Sequence, residues 1–178
     1  MRVYVEPRFD FTQDVGEGGI KQVIRHVMPY LEALGVSFVD NRDAADVIWY
    51  HASPYTETKT WLNERPGVPV VASCHGLYWA GYDWDRASLA ANADVIEGLR
   101  LADVVTAPSE WVKNAIDRGI LADVRTVYHG IDMSEWEPVD GEPDVPYALW
   151  DKSRVDPVCD PLPVIDLAQL MPDQKFVM

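Results

Sequence analysis

The sequence predicts an α/β fold built on a doubly wound parallel sheet, and three observations carry that prediction. Short apolar runs alternate with helix-length amphipathic segments, the sequence pattern of a parallel sheet covered by helices on both faces. A glycine-rich turn, Gly16-Glu17-Gly18-Gly19, separates the first apolar run from the first helical segment. Later runs end in His75-Gly76, Ser109-Glu110 and His129-Gly130, residue types suited to capping or to chemistry at strand ends.

Taken in order, the first strand is expected at Arg2 to Glu6. Gly18 and Gly19 then open a helix, where free backbone N–H groups and the positive end of the helix dipole suit a phosphate or a sugar hydroxyl. Turning flexibility alone is the other reading of these glycines. Glu17 would repel a diphosphate and is expected to point outward or toward acceptor hydroxyls. The helix runs from Gly19 to Leu34, because Ile20, Val23, Ile24, Val27, Leu31 and Leu34 recur at the helical period. Gly35 fits its C-terminal stop, and Pro29 inside it predicts a kink rather than a break. Further strands are expected at Val36 to Val39, Val47 to Tyr50, Val68 to Cys74, Val104 to Ala107 and Val124 to Tyr128. Helices fall around Glu57 to Asn63, from Asp85 to Leu101, and from Glu110 to Arg118, with Ser109 as the cap of the last.

The acidic, proline- and glycine-rich stretch from Trp136 to Pro146 has no periodicity and reads as a linker. Beyond it, Tyr147 to Trp150, Leu162 to Leu170 and Lys175 to Met178 read as strand, helix and strand. Residues 1–140 are thus expected to form one domain, and 141–178 the linker and the incomplete beginning of a second doubly wound domain. That second part is too small to bury a core alone. A truncated chain, a gene fragment and a half completed by another chain all fit this expectation.

Composition narrows the function classes. A formal charge of −14 over 178 residues, with Lys and Arg scattered, disfavours nucleic acid and anionic lipid surfaces as partners. Cys74 and Cys159 are far apart and show no C-x-x-C spacing, so no metal site or disulfide framework is indicated. A reduced, cytoplasmic setting is the expectation. There is no signal-like segment at Met1 and no uncharged apolar run of membrane-spanning length. Peripheral contact with a lipid-linked acceptor stays open.

Ligands of open α/β sheets collect at the carboxyl ends of the strands, which directs attention to the residues there. His75 closes the run Val70 to Cys74 and either faces a ligand or hydrogen-bonds a neighbouring loop. His51, after Val47-Ile48-Trp49-Tyr50, is an acceptor-contact candidate or a structural histidine. Tyr78 and Trp79 lead an aromatic and acidic stretch through Asp85; aromatic faces pack on sugar C–H groups while carboxylates accept sugar hydroxyls, so this loop is either an acceptor site or a packing surface.

The ordered set Gly18-Gly19-Ile20, His75-Gly76, Ala107-Pro108-Ser109-Glu110-Trp111 and His129-Gly130-Ile131-Asp132 resembles the amino-terminal half of retaining GT-B fold glycosyltransferases of the family 4, group 1 type. Two departures stand out: His129 occupies the usual position of an asparagine, and Cys159 that of a lysine. The resemblance implies a Rossmann-like acceptor-side domain, followed by the start of a Rossmann-like nucleotide-sugar domain. It implies transfer of a sugar from a nucleotide diphosphate sugar to a sugar or glycan acceptor with retention of configuration, without a metal or other cofactor. His75 then matches the histidine that faces the transferred sugar. Gly18 and Gly19 approach the donor and Arg154 neutralises its diphosphate, with Lys152 as a compensating cation. Tyr78, Trp79 and His51 stand as acceptor candidates on their residue types and positions, with packing or structural roles as the other reading. Asp83-x-Asp85 has the spacing of the metal-binding pair in the other glycosyltransferase fold, but no apolar strand precedes it, which favours a turn and helix-start role. The family's paired glutamates would lie beyond Met178, so the chain alone is expected to have negligible transfer activity. A non-catalytic glycan- or partner-binding module is the alternative. A dinucleotide-binding oxidoreductase fits poorly, since Pro7 to Val15 separates the strand from the glycines and Lys21 takes the third glycine's place.

Overall fold

The structure, a computed structural model, describes residues 1–11, 19–52, 62, 67–77, 86–120, 123–130, 133–135, 141, 145–150 and 161–178. The chain divides into two compact units, Met1–Gly130 and Ile131–Met178. In the first, β1 (Arg2–Glu6), β2 (Ser37–Phe38), β3 (Val47–Ala52), β4 (Val70–Cys74), β5 (Val104–Ala107) and β6 (Asp123–Thr126) form one sheet in the order β2-β1-β3-β4-β5-β6. Every pairing in it is parallel. Helices α1 (Gly19–Ala33), α2 (Arg86–Leu99) and α3 (Glu110–Ile116) flank the sheet, so the expected α/β Rossmann-like arrangement is the one the chain adopts.

Strand alternation decides which residues make the core. Tyr4, Ile48, Tyr50, Ala52, Val70, Ala72, Cys74, Val105, Ala107 and Val124 are buried on one face, against Val95 and Leu99 of α2 and Val112 and Ile116 of α3. The register aligns these positions across strands, Ile48 with Val70 and Val105 with Val124. The path from β1 leads outward to β2 and returns to β3 on the other side. Right-handed crossovers therefore place α1 on the face opposite α2 and α3. Ile24 of α1 is fully buried and belongs to no part of the main cluster.

Several element ends differ from the sequence reading, each for a pairing reason. Edge strand β2 shrinks to Ser37–Phe38, since it has β1 as its only neighbour. β3 runs on to Ala52 because His51 pairs with Ser73 and Ala52 with Cys74, which puts His51 inside the strand rather than after it. β4 starts at Val70, and β6 spans Asp123–Thr126 because its pairing with β5 ends at Ala107 and Thr126. α1 continues unbroken through Pro29, and Gly35, at φ +84°, turns the chain after it. Ser109 caps α3 as expected, its Oγ accepting the Val112 N–H at 3.2 Å. The helix expected at Glu57 to Asn63 lies outside the described residues apart from Leu62, which is buried.

The amino end of the sheet is tied by Asp46, whose carboxylate accepts the Arg2 backbone N–H at 2.7 Å and the Arg2 guanidinium at 2.7 Å. The Arg2 side-chain and backbone hydrogen bonds hold this carboxyl down at about 2, against an ordinary 3.8. A depressed folded pKa contributes stability that is present above the unfolded value and lost as pH falls through the folded one. Urea unfolding of wild type and Asp46→Asn should therefore differ at pH 7 and converge as the pH approaches 2. A gap that persists unchanged at pH 2 would refute the assignment to Asp46.

The second unit contains β7 (Tyr147–Leu149), α4 (Leu162–Leu170) and β8 (Lys175–Val177), with β7 and β8 paired in parallel. Among its described residues none is buried, and Leu149, Leu162 and Leu170 are all exposed.

Candidate functional site

The order in which strands are added reverses between β1 and β3, and in a doubly wound sheet that switch point opens a crevice at the carboxyl ends of the strands. Because all six strands are parallel, Gly19 after β1, His51 near the end of β3, His75 after β4, Ser109 after β5 and His129 after β6 share that one edge. Gly76 lets the chain leave β4 abruptly behind His75, for its φ of +130° is one that side-chain-bearing residues rarely adopt.

Three of these residues come together although β3, β4 and β6 deliver them separately. His51 Nδ1 lies 2.8 Å from His75 Nε2, with the rings stacked at 5.1 Å between centroids. The His129 ring stands 5.9 Å from that of His75, tilted by 39°. On the other side Trp49, two residues before His51 and so on the same face of β3, places its ring 4.4 Å from the imidazole. Trp49 is itself anchored. Its Nε1–H can only donate and does so to Ser73 Oγ at 2.9 Å; Thr106 Oγ1–H donates to the Ala72 carbonyl, which leaves the Ser73 hydroxyl to donate to Thr106 Oγ1 at 3.0 Å. A polar relay thus crosses β3, β4 and β5 on the face opposite the main core.

Burial sets the charge state of the pair. His51 is fully inaccessible, and desolvation followed by the His75 imidazole brings it from 6.5 to about 2. His75 is half-buried, and desolvation followed by His129 brings it to about 4. Both rings are neutral at pH 7. Neither serves as a charged acid there; what His75 offers is a hydrogen bond. Cys74, next to it in sequence, faces the core, and burial pushes its thiol pKa up, which suits an inert side chain.

Of the residues singled out from sequence, His75, His51 and Gly19 lie at the carboxyl edge, and the structure brings His51 and His75 into direct contact. His51 has no exposed surface of its own, so any influence on a ligand at this edge passes through His75. Gly18, Tyr78, Trp79, Lys152 and Arg154 lie outside the described residues. Sequence reasoning missed the closeness of His129 and the Trp49–Ser73–Thr106 relay. The signal for the relay was the same-face alternation of Trp49 with His51 and of Val71 with Ser73.

A family model described as Glycosyltransferase Family 4 matches residues 30–135, more than half of the chain. The chain belongs to glycosyltransferase family 4. Compared with curated proteins, it finds no match. The family span holds His51, His75 and His129 together with β2 through β6, so the histidine cluster is part of a glycosyltransferase domain with the fold of a GT-B amino-terminal half. No helix among the described residues of this family 4 chain is long and apolar enough to cross a membrane.

Proposed function

We propose that this chain is the acceptor-side domain of a retaining glycosyltransferase that takes its sugar from a nucleotide diphosphate sugar, with residues 141–178 opening the nucleotide-binding half. The observation that carries this reading is the neutral His51–His75 pair at the switch-point edge, inside the family 4 span. A ring with a pKa of about 4 stays neutral beside a diphosphate at pH 7 and offers an N–H to a sugar oxygen without delivering a proton. That fits a reaction whose leaving group is a diphosphate already neutralised by cations. Arg154 and Lys152 fill that role in place of a metal ion, and no other cofactor is required. Gly18 and Gly19 bring the backbone of the turn close to the donor, and Tyr78 and Trp79 give the acceptor sugar an aromatic face. Cytoplasmic nucleotide sugars are the donor pool.

The exposed apolar residues of the second unit, Leu149, Leu162 and Leu170, support a covering partner, either further sequence or a complementing chain. Transfer from a radiolabelled nucleotide sugar to oligosaccharide acceptors tests the reading, with product stereochemistry followed by proton NMR. The chain alone should give negligible turnover, and a form carrying a complete nucleotide-binding half should give product of retained configuration. Robust turnover by the isolated chain would remove the need for a second half, and an inverted product would remove the retaining assignment. Binding of glycan but never of nucleotide by the completed form would favour the non-catalytic module.

A further inference from the structure

The hydrogen bond between His51 and His75 joins two neutral rings, and each neutral ring has one N–H and one bare nitrogen. Two tautomeric arrangements satisfy it, and they differ in what is left over. If His75 donated through Nε2, His51 would carry its own proton on Nε2, an atom that is fully buried and has no hydrogen-bond partner. If His51 donates through Nδ1, the atom left in that dry position is a bare nitrogen. Orphaned buried N–H groups are rarer in folded proteins than undersatisfied acceptors, because an unpaired donor forfeits its full hydration. The second arrangement is therefore the stable one.

We propose that His51 is a positioning residue, which by donating Nδ1–H to His75 Nε2 locks His75 as the Nδ1–H tautomer and makes it a directed hydrogen-bond donor at the carboxyl edge of the sheet. Geometry supports the lock at each step. The relay through Ser73 and Thr106 fixes Trp49, Trp49 covers one side of the His51 ring, and β3 holds the His51 backbone in register with Ser73. His75 Nδ1 lies on the far side of the ring from the occupied Nε2, and it has no hydrogen-bond partner among the described residues. Among the described residues that N–H is available to an oxygen of a bound ligand, while Nε2, occupied by the His51 N–H, is not available as a base. That the receiving oxygen belongs to a sugar rests on the function proposed above; the tautomer does not.

The chain contains four histidines, few enough to resolve one by one after labelling with 15N-histidine. Long-range proton–nitrogen correlation at neutral pH should show His75 protonated at Nδ1 and bare at Nε2, with a 15N–15N coupling across the hydrogen bond to His51 Nδ1. His51→Asn, which keeps an N–H near the Nδ1 position, should preserve the His75 protonation pattern, although the unlabelled asparagine gives no coupling. His51→Phe, which has no donor, should release His75 so that the Nε2–H form gains population. A wild-type His75 protonated at Nε2, a missing coupling, or a folded His51→Phe variant with an unchanged His75 would each overturn the assignment. Should His51→Phe fail to fold, the wild-type protonation pattern, with His75 protonated at Nδ1 and His51 at Nδ1, decides. A chain with the expected tautomer that binds neither nucleotide sugar nor glycan in a completed form would overturn the proposed function and leave the tautomer standing.

Discussion

Between pH 6.5 and 4 the amino-terminal unit should lose several kcal/mol of stability, and His51 and His75 should account for it. Both take up protons at about 6.5 once unfolded, but at about 2 and about 4 in the native state. Across this window the unfolded chain binds more protons than the folded one, so stability rises with pH and falls on acidification. Each such site contributes a slope of about 1.4 kcal/mol per pH unit, so the pair together removes roughly 5 kcal/mol between pH 6.5 and 4.5. A typical domain has only about 5–15 kcal/mol in total, so unfolding in mild acid is the expected consequence. Urea titrations at a series of pH values, read by tryptophan fluorescence, measure the slope. His51→Phe should cut it by about half whatever the variant does to stability at pH 7, since a constant offset leaves a slope untouched. A stability that stays level from pH 7 down to 5 would show that the two rings take up protons in the folded protein as readily as in the unfolded one.

The same burial that makes the pair a liability in acid would, in the function proposed above, keep His75 uncharged where a diphosphate would otherwise raise its pKa. A neutral donor held in one orientation is better suited to a charge that shifts during the reaction, because it needs no reorganisation at that moment. The cost falls on fold stability in acid, and the relay through Trp49, Ser73 and Thr106 is what keeps the buried ring in place.

Continuous apolar runs such as Val70 to Ala72 and Val104-Val105 marked their strands in the sequence, because both faces of the sheet are covered and little alternation is needed. β3 was misjudged at its end for the opposite reason. His51 interrupts an apolar run, and polarity reads as a strand boundary unless the partner that satisfies it is known. That partner, His75, is 24 residues away and meets His51 only because the register sets His51 beside Ser73, two positions before His75. Register is a tertiary quantity, so strand-end chemistry was legible as a set of candidates and the contact among them was not. His129 illustrates the same limit: the sequence showed a histidine in place of an asparagine, and the sheet alone brings its ring to within 5.9 Å of His75.

Gly98→Ala should destabilise the protein by about 2 kcal/mol, although alanine is the better helix former. Gly98 lies in α2, where the propensity difference alone would favour alanine by about 1 kcal/mol. Opposing it is the close approach of Tyr50, for a Cβ at this position would stand 2.5 Å from the phenol oxygen and 3.1 Å from Cε1. Tyr50 cannot yield by swinging away, since its ring is wholly inaccessible and belongs to the core cluster between β3 and α2. Forcing extra volume into a packed core costs about 1–3 kcal/mol, and a rigid ring with no exposed side falls at or above the upper end. The net loss amounts to a fall of several degrees in Tm. Adding Tyr50→Phe removes the atom at 2.5 Å and leaves nearest contacts above 3 Å, so the alanine should do less harm in that background than in wild type. A double-mutant cycle by urea denaturation reads this coupling directly. Equal effects of Gly98→Ala in the two backgrounds, or an alanine variant more stable than wild type, would show that α2 can shift away from β3 and that the contact with Tyr50 does not dictate glycine at position 98.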